Sequence, residues 1–459
     1  MASSADDRPA PGDPAPRDSA AVEGVRPRGT RWWRTAGRPR QAIAVGSVGA
    51  ALVASVLTAA SWRSAPAGPQ PLWEGLPPAA AAPARGATCA PGAADPVLPA
   101  AGTPFAAMAA RSRADLLALS GSFPLVPGNR PASAGTCGAA VAAWRPSWRY
   151  VWPRDASFTV AALSVTGDRA RAAAVLDFLA GIAPADGRWA ARYLPDGSGR
   201  TPDDDRPFQA DGGGWTCWAV WAAVTYGPHP AGAAAAARWW PMVTSSADAM
   251  AASVERTGLP AVSPDYWEVD TDRPTLELLA ATVVGLRSAA DLAARSGHPD
   301  QAARWAAAAR TATAALAQRW GTRGYPRTLP RGGADAAVGL LGAFVPDLPG
   351  VPPAVRSARR ELLLPNGGVR PGADWHHDDG MAWTPEEAML ALGAARSDPA
   401  AARRSLAWLD AHRTRSGALP EKVAPDGSPA AVAPLAWTGA LVLLTVAELS
   451  APLPSLPAG

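Results

Sequence analysis

The feature that most constrains the fold of this chain is a repeated alternation of helical segments with loops. From about residue 104 onward, segments with a 3.6-residue apolar period alternate with loops that are dense in Gly, Pro, Asp and Trp. No run of alternating polar and apolar residues predicts a strand. The sequence therefore predicts an all-α domain.

The apolar period predicts twelve helices in this region. They span residues 104–119, 154–165, 168–182, 211–226, 231–257, 273–296, 299–319, 334–344, 353–364, 384–395, 398–413 and 434–450. Twelve helices arranged in six hairpins would form a toroid with an inner ring, an outer ring and a funnel at one end. Merging or splitting one helix changes the count, so the count alone does not decide the fold.

The region before the helices has a different character. Residues 1–40 are rich in Pro, Arg, Ala and Asp and predict a disordered cytoplasmic tail. Residues 41–62 carry no charge, and about 20 apolar residues can cross a bilayer as a helix. Arginines are concentrated directly before this segment, whereas its far flank offers only Arg63, so the positive-inside rule places the remaining chain outside the cell. A signal peptide cleaved after small residues such as those at 58–60 is the alternative.

The remaining chain divides into a spacer and a folded domain. Residues 63–100 are Pro/Ala/Gly-rich and predict a spacer, and residues 101–452 contain the predicted helices. Cys89 and Cys137 lie in loops and could form one disulfide, as suits an exported protein. Cys217 lies in a helical pattern and predicts a buried free thiol.

Charge disfavours a nucleic-acid partner, and aromatic content favours a carbohydrate partner. The formal net charge is +4, and most of it comes from the first 40 residues, so the predicted domain has no basic stripe for nucleic acid. The 20 Trp residues stand against only 6 Phe and 5 Tyr. Indole faces stack on sugar rings, although some of these residues would also fill a core. The composition favours a carbohydrate partner.

Five loops from distant parts of the chain share one composition of aromatic, charged and amide residues. They are Trp148–Asp155, Gln209–Trp215, the loop around Trp267-Glu268, Arg370–Trp375 and Leu419–Glu421. Loops with one shared chemistry predict convergence on a single pocket. Ring faces for C–H surfaces and charged groups for hydroxyls are what a sugar pocket requires.

Two glutamates in these loops are candidates for acid and base. Glu268 follows Trp267 directly, and a carboxyl held against an apolar wall can keep a proton and donate it. Glycoside hydrolysis needs a second carboxyl, for which Glu421 is the candidate. The alternatives are an exposed loop acid at Glu268 and a turn acid at Glu421.

Two polar clusters raise the possibility of a metal ion. Asp203-Asp204-Asp205 has ligands suited to Ca²⁺, but a solvated loop has the same composition. In residues 376–379 two adjacent histidines precede two aspartates, and neighbouring side chains point in different directions, which favours the rim of a sugar site. No Cys/His grouping has zinc spacing. We therefore expect neither a metal nor a cofactor.

At this point the sequence resembles the glucoamylase family, glycoside hydrolase family 15, over about residues 140–450. Four motifs in the family's order carry the resemblance. They are Trp152-Pro153-Arg154-Asp155, Asp265-Tyr266-Trp267-Glu268, Gly368-Val369-Arg370 followed by Trp383, and Gly417–Glu421 followed by Pro434-Leu435-Ala436-Trp437. The resemblance implies an (α/α)6 barrel, in agreement with the helix count.

The resemblance also implies roles for individual residues. Glu268 would be the general acid and Glu421 the general base of an exo-acting, inverting α-glucosidase. Arg154 and Asp155 would hold the terminal glucose. The further sugar-binding candidates are Trp148, Trp152, Trp267, Asp211, Arg370 and Asp374.

Three positions differ from the family pattern. Val269 stands where the family usually has a second acid, Lys422 stands where it often has Gln, and Trp148 stands where many members have Tyr. An ammonium at Lys422 that turned toward Glu421 would favour the ionised base. Val269 and Trp148 motivate a second hypothesis, a glycan-binding protein of the cell envelope without turnover. Within the enzyme class, trehalose, isomaltose or dextran ends are alternatives to starch, and we expect a monomer.

Overall fold

A computed structural model describes residues 71–77, 89, 92–121, 123, 137–203, 206, 208–228, 230 and 232–458 of the chain. The predicted cytoplasmic tail and the predicted membrane helix at residues 41–62 lie outside this part and stay predictions. Among the helices of the part that is described, none is both long enough and apolar enough to cross a bilayer.

All twelve predicted helices are present in the described part of the chain. They are α1 Ala106–Leu119, α2 Pro153–Val165, α3 Arg169–Ile182, α4 Asp211–Thr225, α5 Trp240–Val254, α6 Leu276–Arg295, α7 Pro299–Ala315, α8 Val338–Phe344, α9 Val351–Glu361, α10 Thr384–Ala395, α11 Pro399–Ala411 and α12 Ala436–Ser450. The largest differences are at α5, which a 3-10 helix at Ala233–Trp239 precedes, at α7, which ends four residues earlier than predicted, and at α8, which begins four residues later than predicted.

The even-numbered helices form a closed inner ring. Helix α2 packs against α4, and the contacts continue through α6, α8, α10 and α12 back to α2. Each odd-numbered helix covers one or two members of this ring from outside, α1 against α12, α3 against α2, α5 against α4, α7 against α6, α9 against α8 and α11 against α10. Two rings of six helices are the six-hairpin toroid that the sequence predicted.

The sequences of the two rings differ because their surroundings differ. Every residue of α2 and of α10 is buried, as expected for helices that are covered on all sides. In α7, by contrast, the buried side chains are Trp305, Ala309 and Ala312, which form one stripe. The centre of the ring is aromatic, and the ring of Phe158 lies 5.0 Å from Trp215 and 4.9 Å from Trp218.

Glycines set the spacing between neighbouring inner helices. A Cβ atom on Gly339 of α8 would lie 2.3 Å from the carbonyl oxygen of Met389 in α10. A Cβ atom on Gly285 of α6 would lie 2.5 Å from the Cα of Gly214 in α4. Real Cβ atoms do not approach backbone this closely, so the inner ring requires glycine at these positions.

The all-α prediction was incomplete, because the residues that the structure describes include five two-residue strands. β1 (Trp73–Glu74) runs parallel to β5 (Val432–Ala433), and β2 (Ala382–Trp383), β3 (Lys422–Val423) and β4 (Pro429–Ala430) form an antiparallel sheet. Strands of two residues are too short to give a period in sequence, which explains why the pattern did not predict them. β2 belongs to the loop before α10, β3, β4 and β5 belong to the loop before α12, and β1 belongs to the segment before α1.

Both cysteine predictions are confirmed. Cys89 and Cys137 form a disulfide with their Cα atoms 5.3 Å apart. Cys217 is a buried free thiol in α4, and burial raises its pKa.

The spacing of the inner ring gives a stability prediction. Gly339→Ala should lower the free energy of unfolding by about 1–3 kcal/mol, because the new methyl group overlaps backbone of α10. Gly181→Ala is the matched control, since Gly181 lies in outer helix α3 with open space around its Cα. Denaturant unfolding should give a stable control and a destabilised Gly339 variant. Equal stability of the two variants would contradict the proposed spacing role.

Candidate active site

One cavity of about 440 Å³ lies where the loops before the inner helices meet. The residues that line it come from the loops or first turns of α2, α6, α10 and α12, with Arg192 and Arg206 from the segment between α3 and α4. Four of the five predicted loops contribute side chains to the wall of this cavity, which explains the composition that these four loops share.

Seven of the ten predicted site residues line this cavity. They are Trp148, Trp152, Arg154, Asp155, Trp267, Glu268 and Glu421. Glu268 and Glu421 are separated in sequence by more than 150 residues, yet both reach the same space.

Three predicted site residues do not line the cavity. Asp211 is buried behind Arg154, whose Nη1 lies 2.5 Å from its carboxylate oxygen Oδ2. Asp374 is exposed, and its Oδ2 accepts a hydrogen bond of 2.8 Å from the backbone N–H of Gly333. Arg370 lies beside the cavity-lining Pro371, and its own side chain is outside the wall. The position of a residue in a motif did not specify which way its side chain points.

The loop that carries Glu268 is held by a buried guanidinium. Arg327 pairs with Asp265 at 2.7 Å and with Asp335 at 3.1 Å, and its guanidinium lies 3.6 Å from the ring centre of Trp267. The carboxylate of Asp265 also accepts the backbone N–H of Trp267 at 3.0 Å.

Glu268 itself adopts an unusual backbone conformation. Its φ is +57°, in the left-handed region that residues with a side chain rarely adopt, and its N–H donates to the carbonyl oxygen of Asp265 at 2.8 Å. Such backbone conformations persist where the surroundings impose them, and they are concentrated at functional sites. Here the Asp265–Arg327 pair, together with the hydrogen bond from Trp267 N–H to Asp265, holds the loop in which Glu268 has this conformation.

The carboxylate of Glu268 is surrounded by donors and cations. Its Oε1 accepts hydrogen bonds from Trp152 Nε1 at 2.9 Å and from Gln209 Nε2 at 3.3 Å, and Arg154 Nη2 lies 3.6 Å away. Its Oε2 forms an ion pair with Arg206, which the sequence did not predict. Two guanidinium groups beside a carboxylate favour its ionised form.

Glu421 has a different environment. Trp148 Nε1 donates a hydrogen bond of 3.1 Å to Oε1, and Oε2 is buried without a hydrogen-bond partner. Burial raises the pKa of this carboxyl, and the charge of Lys422, the Trp148 hydrogen bond and Arg145 oppose the rise. The expected effect of Lys422 is present, but burial outweighs it. One oxygen of Glu421 is thus positioned by an indole, and the other has a free lone pair for a water proton.

Arg154 and Asp155 form a charged wall at the start of α2. Burial opposes the charge of Arg154, but Asp211 and Asp155 outweigh it and raise its pKa. Burial raises the pKa of Asp155 to about 6, against the attraction of Arg154. Asp155 lies in the first turn of α2, which begins at Pro153 with Trp152 in the cap position.

Indole rings supply the apolar walls. The ring of Trp375 lies 5.0 Å from Trp267 and 5.3 Å from Trp383, and Arg154 lies 4.9 Å from the ring of Trp437. The ring of the exposed residue His376 lies 4.7 Å from that of Trp375, which lines the cavity. This combination of ring faces and charged groups suits a sugar.

No metal site is present among the residues with a described position. Within that part, no three His, Cys, Asp or Glu residues are grouped closely enough to hold an ion. Asp204 and Asp205 of the predicted Ca²⁺ alternative lie outside it.

The Arg327 network gives a stability prediction. Arg327→Met should lower the free energy of unfolding by about 3–5 kcal/mol, because it leaves the buried carboxylates of Asp265 and Asp335 without their cation. Arg323→Met is the control, since Arg323 is exposed and donates to the carbonyl oxygen of Pro330. Thermal unfolding measures both. Equal melting temperatures for the two variants would mean that the network does not stabilise the loop.

Solved structures with the same fold are glycosidases. A wild-type glycosidase has 25% sequence identity and a TM-score of 0.58, with 76% of this chain and 97% of that chain covered. A bacterial glucoamylase complexed with acarbose has 16% identity and a TM-score of 0.58, over 75% of this chain and 55% of its own. A family 15 glucoamylase from Hypocrea jecorina has 14% identity and a TM-score of 0.57, over 76% and 71%. The last two support the fold alone.

The sequence also matches a family model. The comparison with curated proteins gave no match. The model of glycosyl hydrolases family 15 matches residues 128–379, which is more than half of the chain and includes Arg154 and Glu268. Glu421 lies beyond the matched range, and its place in the site rests on the cavity that it shares with Glu268. The chain belongs to glycosyl hydrolases family 15 and is a glycoside hydrolase.

Proposed function

We propose that this glycoside hydrolase is an exo-acting, inverting α-glucosidase that releases β-glucose from the non-reducing ends of α-glucosides or α-glucans. One observation carries the proposal. Glu268 and Glu421, from loops before α6 and α12, line a single cavity together with Arg154 and Asp155. Inverting hydrolysis uses two carboxyls in one pocket, and the charged pair supplies a grip for sugar hydroxyls.

In the proposed mechanism the two carboxyls act on opposite faces of the sugar. Glu268 donates its proton to the glycosidic oxygen as the bond from that oxygen to C1 breaks. Glu421 takes a proton from the water that attacks C1 from the other side, so the new C1–O bond has the inverted configuration. The carboxyls must be roughly 6.5–9.5 Å apart to leave room for this water. The unpartnered Oε2 of Glu421 suits the base.

The proposal also includes a location, with an N-terminal anchor in the cell membrane and the catalytic domain outside the cell. The uncharged segment at residues 41–62 with its preceding arginines supports an N-terminal anchor, and the Cys89–Cys137 disulfide suits an oxidising compartment.

The product anomer tests the proposal. Full-length protein incubated with maltose, isomaltose, trehalose and short maltodextrins should release glucose that is initially β, as followed by proton NMR. Glu268→Gln and Glu421→Gln should each lower the rate by about 10²- to 10⁴-fold, because each removes one half of the acid–base pair. Glu361→Gln, at an acid on the outer helix α9, is the control and should keep the rate. Initial α-glucose would overturn the inverting mechanism.

One observation favours a second candidate, a glycan-binding protein without turnover. The ion pair between Arg206 and Glu268 favours a carboxylate that has no proton to give. In this alternative the cavity binds sugar and Arg206 stays in place. Saturable sugar binding without release of glucose from any of the four substrates would favour it.

Arg206 variants separate the two candidates. Arg206→Ala in an active enzyme should extend hydrolysis to higher pH, because it removes a cation that pairs with the carboxylate of Glu268. Arg200→Ala is the control, since Arg200 is exposed and pairs with Asp196 within its own loop. The pH–rate profiles of both variants measure the effect of the ion pair on hydrolysis. An unchanged profile in the Arg206 variant would mean that the ion pair does not affect the reaction.

A further inference from the structure

Glu386 is a fourth carboxyl in the cavity wall, after Asp155, Glu268 and Glu421, and the proposed mechanism gives it no role. Glu386 lies in the first turn of α10, its side chain is 3% exposed, and its Oε2 is buried without a hydrogen-bond partner. An unpaired carboxylate is costly to bury, so an acid in this position needs a physical account.

Paired backbone places Glu386 beside Glu421. Strands β2 and β3 are antiparallel with Trp383 opposite Lys422, and the N–H of Thr384 donates to the carbonyl oxygen of Glu421 at 3.0 Å. Glu386 follows Thr384 by two residues and lines the same cavity as Glu421. Two neighbouring carboxyls do not both ionise readily, because each negative charge disfavours the other.

The surroundings of the two carboxyls are unequal. Burial raises the pKa of Glu421, which is half-buried, but the charge of Lys422, the Trp148 hydrogen bond and Arg145 oppose the rise. Glu386 is more deeply buried. Burial raises its pKa to about 8, and the charge of Glu421 adds to the rise, while its own backbone N–H and Lys422 oppose it. These surroundings favour a proton on Glu386 over a proton on Glu421.

Other charged groups around Glu386 do not change this order. Asp335 raises the pKa of Glu386, and Arg327 already pairs with that aspartate. Glu387, the next residue in α10, is directed to Arg359 at 3.0 Å. The ammonium of Lys422 lies 4.0 Å from the ring centre of Trp383, between the two carboxyl-bearing segments.

We propose that Glu386 is a positioning residue that holds the proton of the Glu386–Glu421 pair, so that the negative charge stays on Glu421. The role of this charge rests on the proposed function, because the charge on Glu421 matters if Glu421 is the general base. The order of ionisation itself does not depend on turnover. It is therefore measurable in a protein without activity.

The test is a carbon NMR titration of full-length protein with ¹³C in the glutamate carboxyls. Glu386→Gln and Glu421→Gln assign the two signals by their disappearance, and Glu387→Gln is the control that should leave both in place. Glu421 should titrate first and Glu386 second, near pH 8.

The coupling between the two signals should be one-sided. In Glu421→Gln the midpoint of Glu386 should fall by about one unit, because the neighbouring charge is gone. In Glu386→Gln the midpoint of Glu421 should not move, because Glu386 is already neutral while Glu421 titrates. The opposite pattern would assign the proton to Glu421 and overturn the proposal. Independent titration of both groups would overturn it as well.

Unfolding gives a second readout that a merely space-filling role would not change. Folding raises the pKa of Glu386 from 4.5 to about 8. Between these pH values the folded state must hold a proton that the unfolded state releases, so the free energy of unfolding falls as the pH rises. The melting temperature of the wild type should therefore fall between pH 5 and pH 8 by more than that of Glu386→Gln. Parallel curves for the two proteins would contradict the proton-holding role.

Discussion

The site depends on a buried guanidinium between two carboxylates. Arg327 pairs with Asp265 and with Asp335, and its guanidinium lies 3.6 Å from the ring centre of Trp267. One side chain therefore connects the loop that carries Glu268 to the loop before α8. A buried charge is tolerated when it is paired on all sides, and removal of one partner is costly. This arrangement holds Glu268 in a left-handed conformation that its own preferences disfavour.

The toroid explains how loops that are distant in sequence meet. The inner helices α2, α4, α6, α8, α10 and α12 close a ring, and the segments that precede them supply nearly the whole cavity wall. The ring requires close backbone contacts, as at Gly339 against Met389, and it positions charged first turns such as Arg154-Asp155 toward the centre. The chemistry of the site then follows from which side chains the loops carry.

Much of the fold and part of the site could be predicted from the sequence. Helix periods gave all twelve helices, since inner and outer helices are both apolar on at least one face. Aromatic and charged loops indicated one pocket, but loop composition does not encode side-chain direction, so Asp211 was predicted as a sugar contact although it supports Arg154 from behind. Arg206 lies among prolines and acids with no pattern of its own, and Glu386 resembles an ordinary acid in the first turn of a helix. Both became recognisable once tertiary contacts placed them beside Glu268 and Glu421.

The most direct test of the account concerns the division of labour between the two glutamates. α-Glucosyl fluoride has a leaving group that departs without a proton, so its hydrolysis needs a base but no general acid. If Glu268 is the acid and Glu421 the base, Glu268→Gln should hydrolyse this substrate at a rate near that of the wild type, whereas Glu421→Gln should be inactive. Loss of hydrolysis in both variants, or activity in Glu421→Gln alone, would contradict the assignment.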